Sequence, residues 1–324
     1  MLSRPSYEKK AESDDGTHAT RSMSSLSDNP AINITVGTFD PNSSDSSSIQ
    51  FDDEETRQTR LDAKILHKEN PTMTYAECFR FRKLRTIKKA RKKLRSYREW
   101  QKKYIDDIPP LQSLSFESDK EVWEYAVSHS LRYFPDVNLT EKLPWITRII
   151  GDDPSLYPNL NSDADKTFTT DSVCGKRILH FLPMLIDTSI ASLDLYALSF
   201  AVYFYLTLDR YGLEEVMVVC DARHGRGWHN PSALSLVPFA KLTAKHMDWF
   251  PQRLDKFYAY PVPLPAKIGW SVLKRFLRPV VVAKVHIHWG NSSVDACPPE
   301  CFGENYFEQS TVDHLESERI SEFR

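Results

Sequence analysis

Lys284 interrupts an apolar, β-branched run, VVVAKVHI, and a lysine there is costly to bury without a partner. If the run is a strand, alternation puts Lys284 on one face with His286 and His288, while Val285, Ile287 and Trp289 point the other way. An ammonium with two imidazoles beside it can hold an anionic oxygen, a phosphate above all. An internal salt bridge is the alternative use of the same lysine. Cys220 and Arg226 stand in the Cys-x5-Arg spacing of cysteine-dependent phosphatases, where a thiolate attacks phosphorus and the arginine holds its oxygens. Against that chemistry, Cys220 falls inside a predicted strand and no glycine follows until Gly225, so the chain is not expected to be an enzyme. A zinc reading joins His286 and His288 to Cys297 and Cys301, but the cysteine pair lies in an undefined loop with no evident supporting acid. No metal or other cofactor is expected.

The elements that must position these residues begin after Cys174. Arg177 to Leu185, Glu215 to Ala222, Asp255 to Val262 and Val281 to Trp289 read as strands. Leu193 to Tyr211, Pro231 to Phe250 and Pro265 to Leu277 read as helices between them. Such alternation predicts an α/β fold with a mainly parallel sheet covered by helices. The helix from Pro265 starts with proline at a position where its missing N–H does no harm. Ile268, Val272, Leu273, Phe276 and Leu277 share one arc, with Lys267, Ser271, Lys274, Arg275 and Arg278 on the other. An apolar face able to line a pocket, beside a basic edge able to touch anionic lipid, suits a lid that opens at a membrane. An ordinary amphipathic cover helix has the same pattern.

Upstream, Thr74 to Tyr104 is helical in pattern and strongly basic. A charge run of this kind is ordinarily a solvated face. No zinc-finger, RRM or helix-turn-helix pattern accompanies it, so nucleic acid is not an expected partner. The first fifty or so residues are rich in Ser, Asp, Asn and Thr and are expected to be disordered, because they cannot bury enough apolar surface to offset ordering entropy. The formal net charge of the 324 residues is only −2, so only local patches can attract polyanions. Five irregularly spaced cysteines fit a reducing compartment, and the N-terminus shows no apolar leader, which together predict a cytoplasmic location. The run Leu195 to Leu208 is shorter than a bilayer span and is flanked by Asp194 and Asp209, as befits a buried helix.

The block WFPQRLDKFYAYPVPLPAKIGWSVLKRFLRPVVVAKVHIHWG, residues 249–290, resembles the core of the CRAL-TRIO family, which includes the fungal phosphatidylinositol/phosphatidylcholine transfer proteins. The shared features are the helix end Phe250-Pro251-Gln252-Arg253-Leu254, the strand start Lys256-Phe257-Tyr258, the turn at Pro261, an amphipathic segment from Lys267 to Leu277, and the final stretch Pro279 to Lys284. Asp221 and Gly225 match the end of the family's second strand, and Arg82-Lys83-Leu84, Ala90, Leu94 and Glu99-Trp100 match its N-terminal helical module.

The resemblance implies a CRAL-TRIO fold with an apolar pocket, preceded by a small helical module. The expected organisation is a disordered segment at 1–57, the basic module at 58–110, the lipid-binding domain at 111–305, and a tail with a short helix at 306–324. Arg253, Lys284, Gln252, Arg82 and Lys83 are implied as headgroup residues. Ile268, Val272, Leu273, Phe276 and Leu277 are implied as the gate, and Lys267, Lys274, Arg275 and Arg278 as its membrane contact. The expected ligand is a phospholipid, a phosphoinositide above all, or another hydrophobic small molecule. It would be carried by a monomer in transient, peripheral contact with anionic membranes. A regulatory or protein-interaction module without lipid transfer is the alternative on the same fold. Tyr196, Phe200, Phe204, Val237, Leu242, Trp249 and Phe250 supply bulk either for the pocket or for an ordinary core.

Overall fold

In the computed structural model, the described residues all belong to one compact unit that begins at Ile49. Described here are residues 49–83, 85–109, 113–149, 177–208, 210–213, 215–250, 253–262, 279–294 and 296, with residues 270, 274, 313, 316 and 317. None of the described helices is long and apolar enough to cross a membrane.

Three helices come first: α1 (Ile49–Glu69), α2 (Tyr75–Lys83) and α3 (Ile87–Tyr104). The first helix begins before residue 58, where the module was expected to start. The acidic run DDEE suits a helix N-terminus, and no Pro or Gly intervenes before Glu69. Ala90, Leu94, Tyr97 and Gln101 recur every three or four residues and form the buried stripe of α3. They close on Ala63 and Leu66 of α1 and on Cys78 and Phe81 of α2. Thr74 and Glu77 form a reciprocal cap at the start of α2. The Thr74 N–H donates to Glu77 Oε2 at 2.7 Å, and the Glu77 N–H donates to Thr74 Oγ1 at 3.1 Å.

Beyond α4 (Asp119–Leu131), a five-stranded sheet is ordered as the chain is: β1 (Thr147–Ile149), β2 (Ile178–Phe181), β3 (Val216–Asp221), β4 (Leu254–Tyr260) and β5 (Val285–Ile287). The edge strand β1 runs antiparallel to β2, and the other three pairs are parallel. Helices α5 (Leu193–Thr207) and α6 (Val237–His246) join β2 to β3 and β3 to β4. Every residue of α5 from Leu195 to Thr207 is buried, which is why its sequence is apolar all round. The side-chain oxygen of Ser192 caps it, accepting from Leu195 N.

Phe200 contacts Phe181 and Phe204 with ring centroids 4.9 and 4.6 Å apart, and Phe204 meets Phe250 at 4.9 Å. These rings and Tyr196 therefore belong to the core under the helix-covered face. Leu242 and Trp249 are half-buried beside that core, and Val237 is exposed. At Gly225 an added Cβ would lie 2.0 Å from the Trp228 indole, so no side chain fits at that position.

The strand expected over residues 281–289 is shorter than its composition suggested. Pro279–Val282 forms a helical turn and only Val285–Ile287 pairs with β4. Pro279 has φ fixed near the helical value and no N–H to lend a ladder, so it starts a turn more readily than a strand. Lys284 accordingly precedes β5 instead of sitting within it.

Candidate functional site

Parallel, adjacent strands start at the same end of a sheet, so the residues entering β3, β4 and β5 are brought together. They are Gly212 and Glu215 before β3, Arg253 before β4 and Lys284 before β5. The C-terminal end of α2 meets them there with Arg80 and Lys83.

Two kinds of contact result. Arg80 and Arg253 both donate to the Gly212 carbonyl, Arg253 through Nη1 at 3.2 Å. Arg80 also donates to the Arg210 carbonyl at 3.2 Å, and Thr74 Oγ1 donates to the same oxygen at 2.9 Å. Arg210 in turn donates from Nε and Nη2 to the two carboxylate oxygens of Glu77, each at 3.1 Å. This set of bonds fastens the helical module to the loop entering β3. Arg253 is only 2% exposed, so its guanidinium belongs to that fastening and not to an open surface.

Lys83 and Lys284 differ in being reachable. The Lys83 ammonium lies 3.1 Å and the Lys284 ammonium 3.9 Å from the same atom, Glu215 Oε1, with side-chain exposures of 52%, 18% and 22% for Lys83, Lys284 and Glu215. Lys284 also donates to the Leu254 carbonyl. Two ammonium groups around one partly exposed carboxylate form a cationic site that already carries one anion. A phosphate arriving there could pair with both lysines.

The other residues singled out in the sequence fall elsewhere. Arg82 donates from Nε to Asp62 at 2.6 Å and from Nη1 to the Arg85 carbonyl at 2.7 Å, turning towards α1 and away from Glu215. His286 and His288 do share a face, since both stack on Tyr258 with centroids 4.9 and 6.1 Å away. At about 3.3 Å per residue they lie roughly 7 and 13 Å along the chain from Lys284, so they line the sheet face and not the strand ends. Burial first, and for His286 also Lys256, hold both imidazoles below the ordinary histidine pKa. Register places Arg148, His180, Val219, Tyr258 and His286 side by side across the sheet on the face opposite α5.

Cys220 is paired through the sheet with Phe181 and Ala259, and burial, reinforced by Asp221, pushes its thiol pKa far up. A half-buried thiol held protonated in a central strand is not an activated nucleophile, and Arg226 is exposed outside the strand. Cys297 and Cys301 lie outside the described residues, and no metal-ligating group of three or more appears among the described ones. Gln252, Lys267, Ile268, Val272, Leu273, Arg275, Phe276, Leu277 and Arg278 also lie outside them. Of the gate segment, Lys274 is exposed and its N–H donates to the Trp270 carbonyl at 2.9 Å, one turn of helical spacing.

Sequence reading missed Glu215, Arg80 and Glu77. The Thr74-x-x-Glu77 capping box was available as a signal. Nothing local marks Glu215 as the partner of lysines 132 and 69 positions away.

Residues 147–306 match the CRAL/TRIO domain, spanning all five strands. A segment of 44 residues is 41% identical to the SEC14 cytosolic factor of Yarrowia lipolytica. That segment is 14% of this chain and 9% of the relative's length. The sheet, the helices and the family match agree, and the chain therefore carries a CRAL/TRIO domain over residues 147–306, the domain of a family that binds hydrophobic small molecules such as lipids.

Proposed function

We propose that this chain holds one phospholipid with an anionic headgroup and carries it between membranes or presents it at one, without catalysing a reaction. The observation that carries this reading is the convergence of Lys83 and Lys284 on Glu215 at the strand ends of a lipid-binding domain. A lipid leaves its bilayer only if its acyl chains find another apolar environment, each buried methylene contributing about 0.8 kcal/mol. A headgroup phosphate then needs cations outside the apolar part, and two lysines in reach of one another supply them.

In this reading the segment with Ile268, Val272, Leu273, Phe276 and Leu277 gates the pocket. Lys267, Lys274, Arg275 and Arg278 touch anionic membrane from the cytoplasmic side. Gln252 stands where phosphatidylinositol-transferring proteins of the resembling family carry glutamate, which favours a phosphorylated phosphoinositide over a zwitterionic lipid.

Mass spectrometry of lipids extracted from the purified protein tests the ligand class, and vesicle transfer tests the activity. A co-purifying phosphoinositide, with transfer lost in the Lys83→Ala, Lys284→Ala double variant, is the expected result. Wild-type transfer by that variant would remove the headgroup assignment, and absence of any bound lipid would favour an interaction module.

A further inference from the structure

Lys89 and Lys92 have no acidic partner among the described residues, yet they open onto the same depression as four other cations. This groove, of 850 Å³, follows the first half of α3 from the end of α2 and is lined by Arg82, Lys83, Arg85, Lys89, Lys92 and Lys93. Glu55 is the one acidic side chain among the described residues of its wall. Arg82, Lys83 and Lys93 are matched by Asp62, Glu215 and Asp248. Arg85 lies over the Phe81 ring, and the charge of Lys89 and Lys92 exceeds what Glu55 can offset.

The helix behind the groove deepens the imbalance. The α3 sequence IKKARKKLRSYREWQKKY holds nine basic residues and one acid, in a chain whose formal net charge is −2. Its first turn carries no acidic residue, and Thr86, which lines the groove, does not cap it through its side chain. The positive end of the helix therefore adds to the field of the lysines.

Shape narrows the ligand. A concave wall of flexible ammonium groups suits a small anion that several lysines can approach at once, more than it suits a flat bilayer face. We propose that the groove is a binding site for a compact polyphosphate, several phosphate esters on one small scaffold, offered either free or as a lipid headgroup. It shares Lys83 with the cluster at Glu215 but does not rest on the lipid-carrier reading.

The test uses the full chain. Inositol hexakisphosphate in calorimetry probes the free form. Flotation with phosphatidylcholine vesicles, with and without a few mole per cent of a phosphatidylinositol bisphosphate, probes the headgroup. The groove variant is Lys89→Glu with Lys92→Glu. The control is Lys102→Glu with Lys103→Glu, the same change of charge at the far end of the same helix, where both side chains are exposed and outside the groove. A built site loses about tenfold or more in affinity in the groove variant while the control stays within about twofold. Calorimetric binding without flotation assigns the free polyphosphate, and flotation dependent on the bisphosphate assigns the headgroup. Equal losses in the two variants would mean diffuse attraction by the whole helix and would overturn the site. So would failure of the wild-type chain to bind either probe.

Discussion

The Lys284 ammonium lies 3.9 Å from Glu215 Oε1, the oxygen that Lys83 also reaches. Glu215 thus occupies the position from which a ligand phosphate would meet both lysines. Near a partly exposed site, a unit charge at about 4 Å interacts by roughly 1 kcal/mol in a water-like dielectric. Glu215→Gln should therefore tighten binding of anionic headgroups about fivefold and leave phosphatidylcholine unchanged. Competition between vesicles of the two compositions measures the ratio, and weaker anionic binding would show that Glu215 positions the lysines instead of competing for them.

Arg253 and Lys284 were paired in sequence as headgroup cations, but their surroundings predict opposite phenotypes. Arg253 is buried against the Gly212 carbonyl, so Arg253→Ala should lower unfolding stability by about 1–3 kcal/mol. Lys284→Ala should cost about 1 kcal/mol or less, because its ion pair is long and partly solvated, while reducing anionic-lipid transfer. Urea titrations beside transfer assays separate the two, and equal stability losses would contradict the assignment.

Glu77 is 1% exposed and serves the α2 cap, Arg210 and the Tyr97 hydroxyl together. Glu77→Ala leaves the guanidinium and the hydroxyl facing an apolar gap and should cost about 3 kcal/mol. Hydrogen exchange should rise first in α2 and in the loop entering β3, because that carboxylate joins them. Uniform change across the sheet would argue against this fastening.

His246, His286 and His288 all titrate below the ordinary histidine value, chiefly through burial. Between about pH 6.5 and their depressed native values the unfolded chain binds more protons than the folded one, so stability is full above that window and falls as pH drops through it. Urea midpoints should decline from pH 7 to pH 5, and His286→Asn should flatten the slope. A midpoint that rises on acidification would mean these imidazoles gain stabilising partners when charged.

Much of the architecture is written locally. The period of α3, the mainly apolar run of α5, the valine-rich run of β3 and the aromatic-rich run of β4 each demand one kind of burial, and the alternation of elements demands parallel strands. These signals survive because they depend on neighbours within a few residues. They fail where a single residue overrides composition, as Pro279 does by turning a valine run into a helical turn before Lys284.

The sequence alone singled out Lys83, Arg253 and Lys284 as cations to be read together, with Lys284 inside a predicted strand. Only the tertiary structure decided which of them meet and which are used up. Parallel strand order brings Gly212, Glu215, Arg253 and Lys284 to one end of the sheet, and docking of α2 adds Arg80 and Lys83. Whether a cation there is buried against a carbonyl, as Arg253 is, or shares a partly exposed carboxylate, as Lys284 does, depends on groups dozens of residues away. Spacing along the chain carries no record of that, because electrostatic partnership is set by distance in space.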